Sequence, residues 1–192
     1  MIAARVFAAK GIASATVRDV AHEAGILPGS LYHHFTSKEE LVREVLAPGG
    51  ADALDFRAIF DSASNADEAL QRSMRLAVTW VAGNPEVARI FRNDAHYISE
   101  TPALAENEAW RQSNRLIWIE IIEAGIAESR FRDDLNADLT VRVMWDAVLG
   151  STRWFAPFGD ADPGEIADHL ADLFLAGIRT PEVFTHARER QR

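Results

Sequence analysis

The sequence has no cysteine among its 192 residues, which excludes disulfide bonds and thiolate-held metal centres. It also has no uninterrupted apolar run of about eighteen residues, so we predict no membrane-spanning helix. Residues 1–11 lack the apolar stretch and cleavage site of a secretory signal peptide. Together these absences favour a cytoplasmic protein without a membrane partner.

The motifs of the common enzyme classes are absent as well. The chain has no glycine-rich phosphate loop, no nucleophile elbow, no His-Glu-x-x-His zinc motif and no cysteine nucleophile. The short cluster Asp94, His96 and Tyr97 offers one histidine beside one carboxylate, which is too few ligands for a metal ion. We therefore expect no enzyme activity, no cofactor and no metal site.

Positive charge is scarce, and its distribution is informative. The formal net charge is −9. Residues 1–46 hold five basic and five acidic side chains, so this segment is neutral and the remainder carries the whole excess. The contrast predicts two parts with separate tasks. If the neutral part binds nucleic acid, its affinity must come from a few placed cations, backbone amides and dimerisation.

Thr16–Lys38, TVRDVAHEAGILPGSLYHHFTSK, has the pattern of a helix-turn-helix. Thr16 can cap a first helix, with Asp19 three residues later in a variant of the capping box. Gly25 stands where that helix must end, because glycine takes a left-handed backbone at little cost. Pro28 can open the second helix. Two short helices around a tight turn are typical of proteins that insert the second helix into the DNA major groove.

The same segment closely resembles the DNA-binding domain of TetR-family transcriptional regulators. The similarity is carried by T-V-R-D-V-A, A-G-I, G-S-L-Y-H-H-F and S-K-E-E-L, and it covers most of residues 1–46. Three later strings, RNDAHYISE, IIEAGIAESRFRDDLNADL and TRWFAPFG, are similar to the actinobacterial steroid-catabolism (KstR-like) repressors of that family. Those repressors leave DNA when CoA thioesters of sterol-ring fragments bind them, so the resemblance implies an effector of this kind.

The resemblance also implies which residues of the head contact operator DNA. In the family pattern the Tyr32 hydroxyl reaches a phosphate. By its position His33 is exposed on the recognition helix, where we expect it to touch a base edge or a phosphate, and Lys38 at the start of the fourth helix is the best single cation. We expect His34 to pack or hydrogen-bond locally. The complete predicted DNA-binding set is Thr16, Arg18, Pro28, Gly29, Ser30, Tyr32, His33 and Lys38. Glycine and histidine define no unique base code, so the operator sequence cannot be derived from them.

Helical periodicity continues through the rest of the chain, where all five tryptophans lie. Trp110, Asn114 and Trp118 repeat at the spacing of one helix face, and a buried Asn114 would need a polar partner. We predict that this face lines an effector pocket, although aromatic residues at helical spacing also pack in cores, which we favour for Trp80. The complete predicted ligand set is Trp80, Phe91, Tyr97, Trp110, Asn114, Trp118, Trp145 and Leu149.

Two positions on the penultimate long helix bear on the kind of ligand. Trp145 and Leu149 stand where the family resemblance puts ligand-facing residues, so a different effector class is expected if the steroid-type relatives use a cation or polar group there. Arg142 can meet a ligand anion, or it can pair with Asp138 or Asp146 four residues away, and we favour the ion pair.

These patterns predict an all-α protein. We expect a three-helix head at 1–46, a helical ligand-binding and dimerisation domain at 51–180, and a loose tail at 181–192, with Pro48-Gly49-Gly50 interrupting the fourth helix. The last two helices have apolar stripes suited to a four-helix bundle with a two-fold mate, so we predict a homodimer. The stripes consist of Leu149, Gly150 and Trp154, and of Ile166, Leu170 and Phe174.

The predicted function is a ligand-responsive homodimeric repressor that binds palindromic double-stranded operator DNA and is released by a small hydrophobic or acyl-CoA effector. Two heads about one DNA turn apart would read the palindrome, and a ligand that favours another spacing would lower DNA affinity by linkage. The alternatives are an activator or dual regulator of the same family, a regulator of an unrelated ligand, and a protein whose head no longer binds DNA.

Overall fold

A computed structural model describes residues 1–47, 54–154 and 162–181 of the protein. Within these ranges the chain forms eleven α-helices and no β-strand, and an isolated antiparallel bridge joins Phe131 to Arg179. The all-α prediction is confirmed. None of the helices in these ranges has the length and apolar character required to cross a membrane.

The helices follow one another with short connections. Their bounds are α1 Ile2–Lys10, α2 Val17–Ala24, α3 Pro28–Tyr32, α4 Lys38–Leu46, α5 Phe56–Ser62, α6 Ala66–Gly83, α7 Pro85–Asn93, α8 Ala95–Glu100, α9 Ala105–Ala127, α10 Ala137–Gly150 and α11 Pro163–Ile178. Short 3-10 segments at Pro102–Leu104 and Ser151–Arg153 precede α9 and follow α10. The predicted break at Pro48-Gly49-Gly50 and nearly all of the predicted tail lie outside the described residues.

The helix starts have local causes. The Ser37 hydroxyl accepts the Glu40 amide at 3.1 Å and caps α4, and the Asn65 side chain accepts the Glu68 amide at 3.1 Å before α6. Proline occupies the first position of α7 and α11, where the missing N–H has no helical partner to lose.

Two compact units are present, and they do not follow chain order. The first comprises residues 1–53 and 83–112, and the second comprises residues 54–82 and 113–192. The first unit therefore combines α1–α4 with α7, α8 and the first turns of α9. The domains predicted from the sequence place the segment 83–112 with the ligand-binding domain at 51–180 instead.

Each unit has its own core. In the first, α1 buries Phe7 and α4 buries Val42, both fully shielded from solvent. In the second, Phe131 fills the space left by the missing side chain of Gly125, where an added Cβ would lie 2.1 Å from the Phe131 ring. The same turn holds Phe131 by its backbone, because its N–H donates to the Gly125 carbonyl at 3.0 Å.

Candidate DNA-binding and effector-binding sites

The helix-turn-helix forms as its sequence predicts. The Thr16 hydroxyl accepts the Asp19 amide at 3.1 Å, and the Asp19 carboxylate accepts the Thr16 amide at 2.8 Å, which completes a capping box. Gly25 ends α2 with φ 67°, the left-handed conformation that glycine adopts without strain. Lys10 lies 2.5 Å from Asp19 and, with the Thr16 bonds, holds the pKa of that carboxyl well below its ordinary value.

Most of the predicted DNA-binding residues are exposed on this motif. Tyr32 exposes 55% of its surface, so its hydroxyl is free to approach a phosphate. Pro28 is half-buried at the start of α3, and the other predicted residues apart from Lys38 are exposed; these are Thr16, Arg18, Gly29, Ser30 and His33. His34, which we expected to pack or hydrogen-bond locally, is exposed too. Their roles on DNA stay predictions.

Lys38 has a different environment from the one expected of a free cation. Its Nζ donates to the carbonyl oxygens of Ile12 at 2.9 Å, Ala15 at 3.3 Å and Ala13 at 3.4 Å. It also lies 5.4 Å from the centre of the Tyr97 ring, within cation–π range. An ammonium group has three N–H donors, and three carbonyl oxygens of this loop lie within hydrogen-bond distance of it. Lys38 therefore ties the start of α4 to the segment that enters the helix-turn-helix.

The segment α7–α8 is fastened to the same loop and to α4. The Asp94 carboxylate accepts the Ile12 amide at 2.9 Å, and the Tyr97 hydroxyl donates to Glu39 at 3.2 Å. Burial, and then the Glu39 charge, raise the pKa of Tyr97. The pKa of Glu39 is lowered, first by its own backbone N–H at the helix start and then by the Tyr97 hydroxyl. Tyr97, predicted from sequence as a ligand residue, thus serves as a link between α8 and α4.

The predicted ligand residues fall into two groups, one in each unit. In the first unit the rings of Phe91 and Trp110 lie 5.6 Å apart with a 37° tilt. In the second unit Asn114 and Trp118 are buried, with 5% and 0% exposure, while Trp80, Trp145 and Leu149 are half-buried. The face Trp110–Asn114–Trp118 that the sequence indicated is therefore divided between the two units.

Three aromatic rings form the centre of the second group. Trp118 and Trp145 have ring centres 5.2 Å apart, and Phe56 meets them edge-on at 5.6 Å and 5.9 Å. Phe56 was missed in the sequence because no spacing connects α5 with α9 and α10. The indole Nε1 of Trp118, the indole Nε1 of Trp145 and the Asn114 Nδ2 are buried without a hydrogen-bond acceptor in the part of the chain described. The cluster thus combines an aromatic wall with three unused donors.

The charged residues beside this cluster are paired with one another. Arg142 Nε lies 2.9 Å from Asp138 Oδ2, which confirms the favoured ion pair, and Arg115 also contacts Asp138. Across the described ranges there is no group of three or more histidine and carboxylate side chains able to hold a metal ion.

Comparisons with known proteins agree with this geometry. Residues 2–45 match the model of bacterial regulatory proteins of the tetR family, and residues 63–178 match the tetracyclin repressor-like C-terminal domain. The transcriptional repressor KstR2 of Mycolicibacterium smegmatis is 34% identical over 97% of this chain and 91% of its own. KstR2 of Mycobacterium tuberculosis is 36% identical over 92% of this chain and 89% of its own.

Solved structures of regulators have the same fold. The ketosteroid transcriptional regulator KstR2 of Mycobacterium tuberculosis superposes with a TM-score of 0.80 at 34% identity, covering 93% of this chain and 92% of its own. AibR, solved with isovaleryl coenzyme A and operator DNA, has a TM-score of 0.71 over 90% of this chain and 93% of its own, but at 18% identity it shows the fold alone. The chain therefore belongs to the TetR family and is a ligand-responsive DNA-binding transcriptional repressor, homologous to KstR2, and not an enzyme.

Proposed function

We propose that a hydrophobic effector binds among the helices of the second unit and lowers the affinity of the dimer for its operator. The identity to KstR2 extends over nearly the whole chain, and one solved relative is a ketosteroid regulator. A CoA thioester with a bulky ring system is therefore the first effector to test. A hydrophobic effector without CoA is the alternative, because Trp145 and Leu149 offer a thioester neither a charged nor a carboxyl or amide group at these positions.

The unused donors carry this proposal. A buried polar group without a partner costs about 1–3 kcal/mol. Three such donors belong to Asn114, one turn before Trp118 on α9, to Trp118 and to Trp145. Carbonyl or ether oxygens of an effector would accept these hydrogen bonds, and the aromatic rings would cover its apolar surface. Such a molecule would offset the desolvation penalty of the buried donors, which have no acceptor in the unliganded protein.

Isothermal titration with ring-bearing acyl-CoA thioesters, the matching free acids and CoA alone would test the site. We expect Trp145→Phe and Asn114→Leu each to lower the affinity for the effector by roughly 2- to 12-fold, which corresponds to the loss of one hydrogen bond. Trp154→Phe is the matched control, since Trp154 lies beyond the end of α10 and is 44% exposed. Equal affinities in all variants would show that the cluster is only core. Binding of the free acids without the thioesters would favour the alternative effector.

We further propose that the homodimer forms through α10 and α11. Leu139 and Val143 expose 58% and 53% of their surfaces on α10, and Leu173 exposes 57% on α11. A surface depression of about 350 Å³ is lined by Trp154 and by the α11 residues Glu165, Ile166, His169, Leu170 and Leu173. Leu170, expected at the interface, is 6% exposed and belongs to the core of its own unit. The exposed apolar faces would be covered by the same helices of a second copy.

On the DNA side, we propose that Arg18, Tyr32 and His33 contact phosphates or base edges, with Thr16 as cap and phosphate contact. Their exposure and their positions on α2 and α3 support this assignment. Lys38 supports DNA binding indirectly, because it holds the loop at 12–15 that leads into the helix-turn-helix. We place the protein in the cytoplasm, where operator DNA is accessible.

A further inference from the structure

Leu27 is the most exposed large apolar side chain among the described residues, with 76% of its surface accessible. Ile26 and Tyr32 expose 44% and 55%, so three such side chains fall within residues 26–32. Single apolar residues on a surface need no explanation. A group of three in the turn and the short helix α3 of a helix-turn-helix does need one.

Folding does not explain the leucine. Leu27 is the N-cap of α3 and makes no side-chain capping bond, although a polar residue is favoured there. The same head uses Thr16 and Ser37 as hydroxyl caps for α2 and α4. Ile26 differs, because its amide donates to the Ala21 carbonyl at 3.0 Å in the turn that closes α2, where an apolar residue commonly packs on the helix. Leu27 is therefore an apolar side chain that is exposed to solvent at a capping position where it forms no capping bond.

We propose that Leu27 recognises thymine by packing against the C5-methyl group in the major groove. Residues at the start of a recognition helix contact base edges, and thymine alone among the bases presents a methyl group there. The contact would supply sequence information that Gly29 and Ser30 cannot supply. This inference rests on operator binding by the head.

The test uses DNA selected from a random duplex pool by the full-length wild-type protein. Each thymine of the selected site is then replaced by deoxyuridine, which lacks only the methyl group. At one or two positions we expect the replacement to weaken binding about fourfold when it is made in one half-site and about fifteenfold when it is made in both half-sites. These values correspond to the loss of one buried methyl group per protomer. Leu27→Ala should bind thymine and uracil sites equally at those positions.

Two further variants make the test decisive. Leu116→Ala removes another exposed leucine, on α9, and should retain the full thymine preference. Leu27→Ser restores a hydroxyl cap, so it should fold at least as well as the wild type while losing the preference. The inference is overturned if the wild type never distinguishes thymine from uracil, or if Leu27→Ala keeps the preference. Enrichment of no sequence at all would instead refute operator binding, and the inference with it.

Discussion

Replacing Lys38 with methionine separates a structural role from a direct DNA contact. Methionine keeps the apolar stem and removes the ammonium group that bonds to three carbonyl oxygens at 2.9, 3.3 and 3.4 Å. A hydrogen bond from a charged group contributes about 1.5–3 kcal/mol. Because only the shortest of the three has good length and the site is partly open to water, we expect the first unit to lose about 2 kcal/mol of stability.

The assay has two parts, urea unfolding of the DNA-free protein and operator affinity measured at several salt concentrations. Each phosphate contact adds about −0.9 to the slope of log affinity against log salt. We predict that Lys38→Met destabilises the head and lowers affinity while leaving this slope unchanged. Arg18→Met should reduce the slope by about 0.9 per protomer. Lys10→Met is the charge-matched control, because its ion pair with Asp19 is exposed and such pairs contribute little to stability.

An unchanged stability in Lys38→Met together with a reduced salt slope would refute the reasoning. Lys38 would then be a phosphate contact, as the family resemblance implied, and its bonds to the loop at Ile12 would contribute nothing measurable.

Two other predictions concern folding. Gly125→Ala should lower the free energy of unfolding by about 1–3 kcal/mol through overpacking, because the new methyl would lie 2.1 Å from Phe131. Thermal unfolding measures this loss, and Phe131→Leu in the same chain should recover part of it. An unchanged melting temperature would show instead that the turn accommodates the methyl group without cost. Lys10 first, and then Thr16, lower the pKa of Asp19, so its contribution to stability is complete above the ordinary value of 3.8 and is lost as pH falls toward the folded pKa. Denaturation of wild type and Asp19→Asn should therefore differ at neutral pH and converge in acid, and a difference that grows in acid would contradict this sign.

Local interactions were predictable from the sequence. The capping box at Thr16, the left-handed Gly25 and the Arg142–Asp138 pair, one of the two pairings that the spacing allowed, join residues within four positions of one another or depend on one residue's backbone. Their physics is contained in a short stretch of chain, so spacing and residue type were sufficient to find them.

Long-range interactions were not predictable in this way. Lys38 contacts a loop 26 residues earlier, Tyr97 contacts Glu39 across 58 residues, and Asp94 contacts Ile12 across 82 residues. Helical periodicity gives the apolar face of each helix but not its neighbour. For this reason the sequence did not reveal the Tyr97–Glu39 bond or the place of Phe56 beside Trp118 and Trp145, although it did indicate the face with Asn114 and Trp118.

Native mass spectrometry of the full chain with its selected operator duplex tests the central claim most directly. We predict that chains of 21.3 kDa bind each duplex in pairs, and that the same pairs persist without DNA. Addition of a bound effector should release the duplex while leaving the pairs intact. Single chains on the duplex would contradict a dimeric repressor. Binding of the duplex at undiminished affinity in the presence of the effector would contradict a ligand-responsive one.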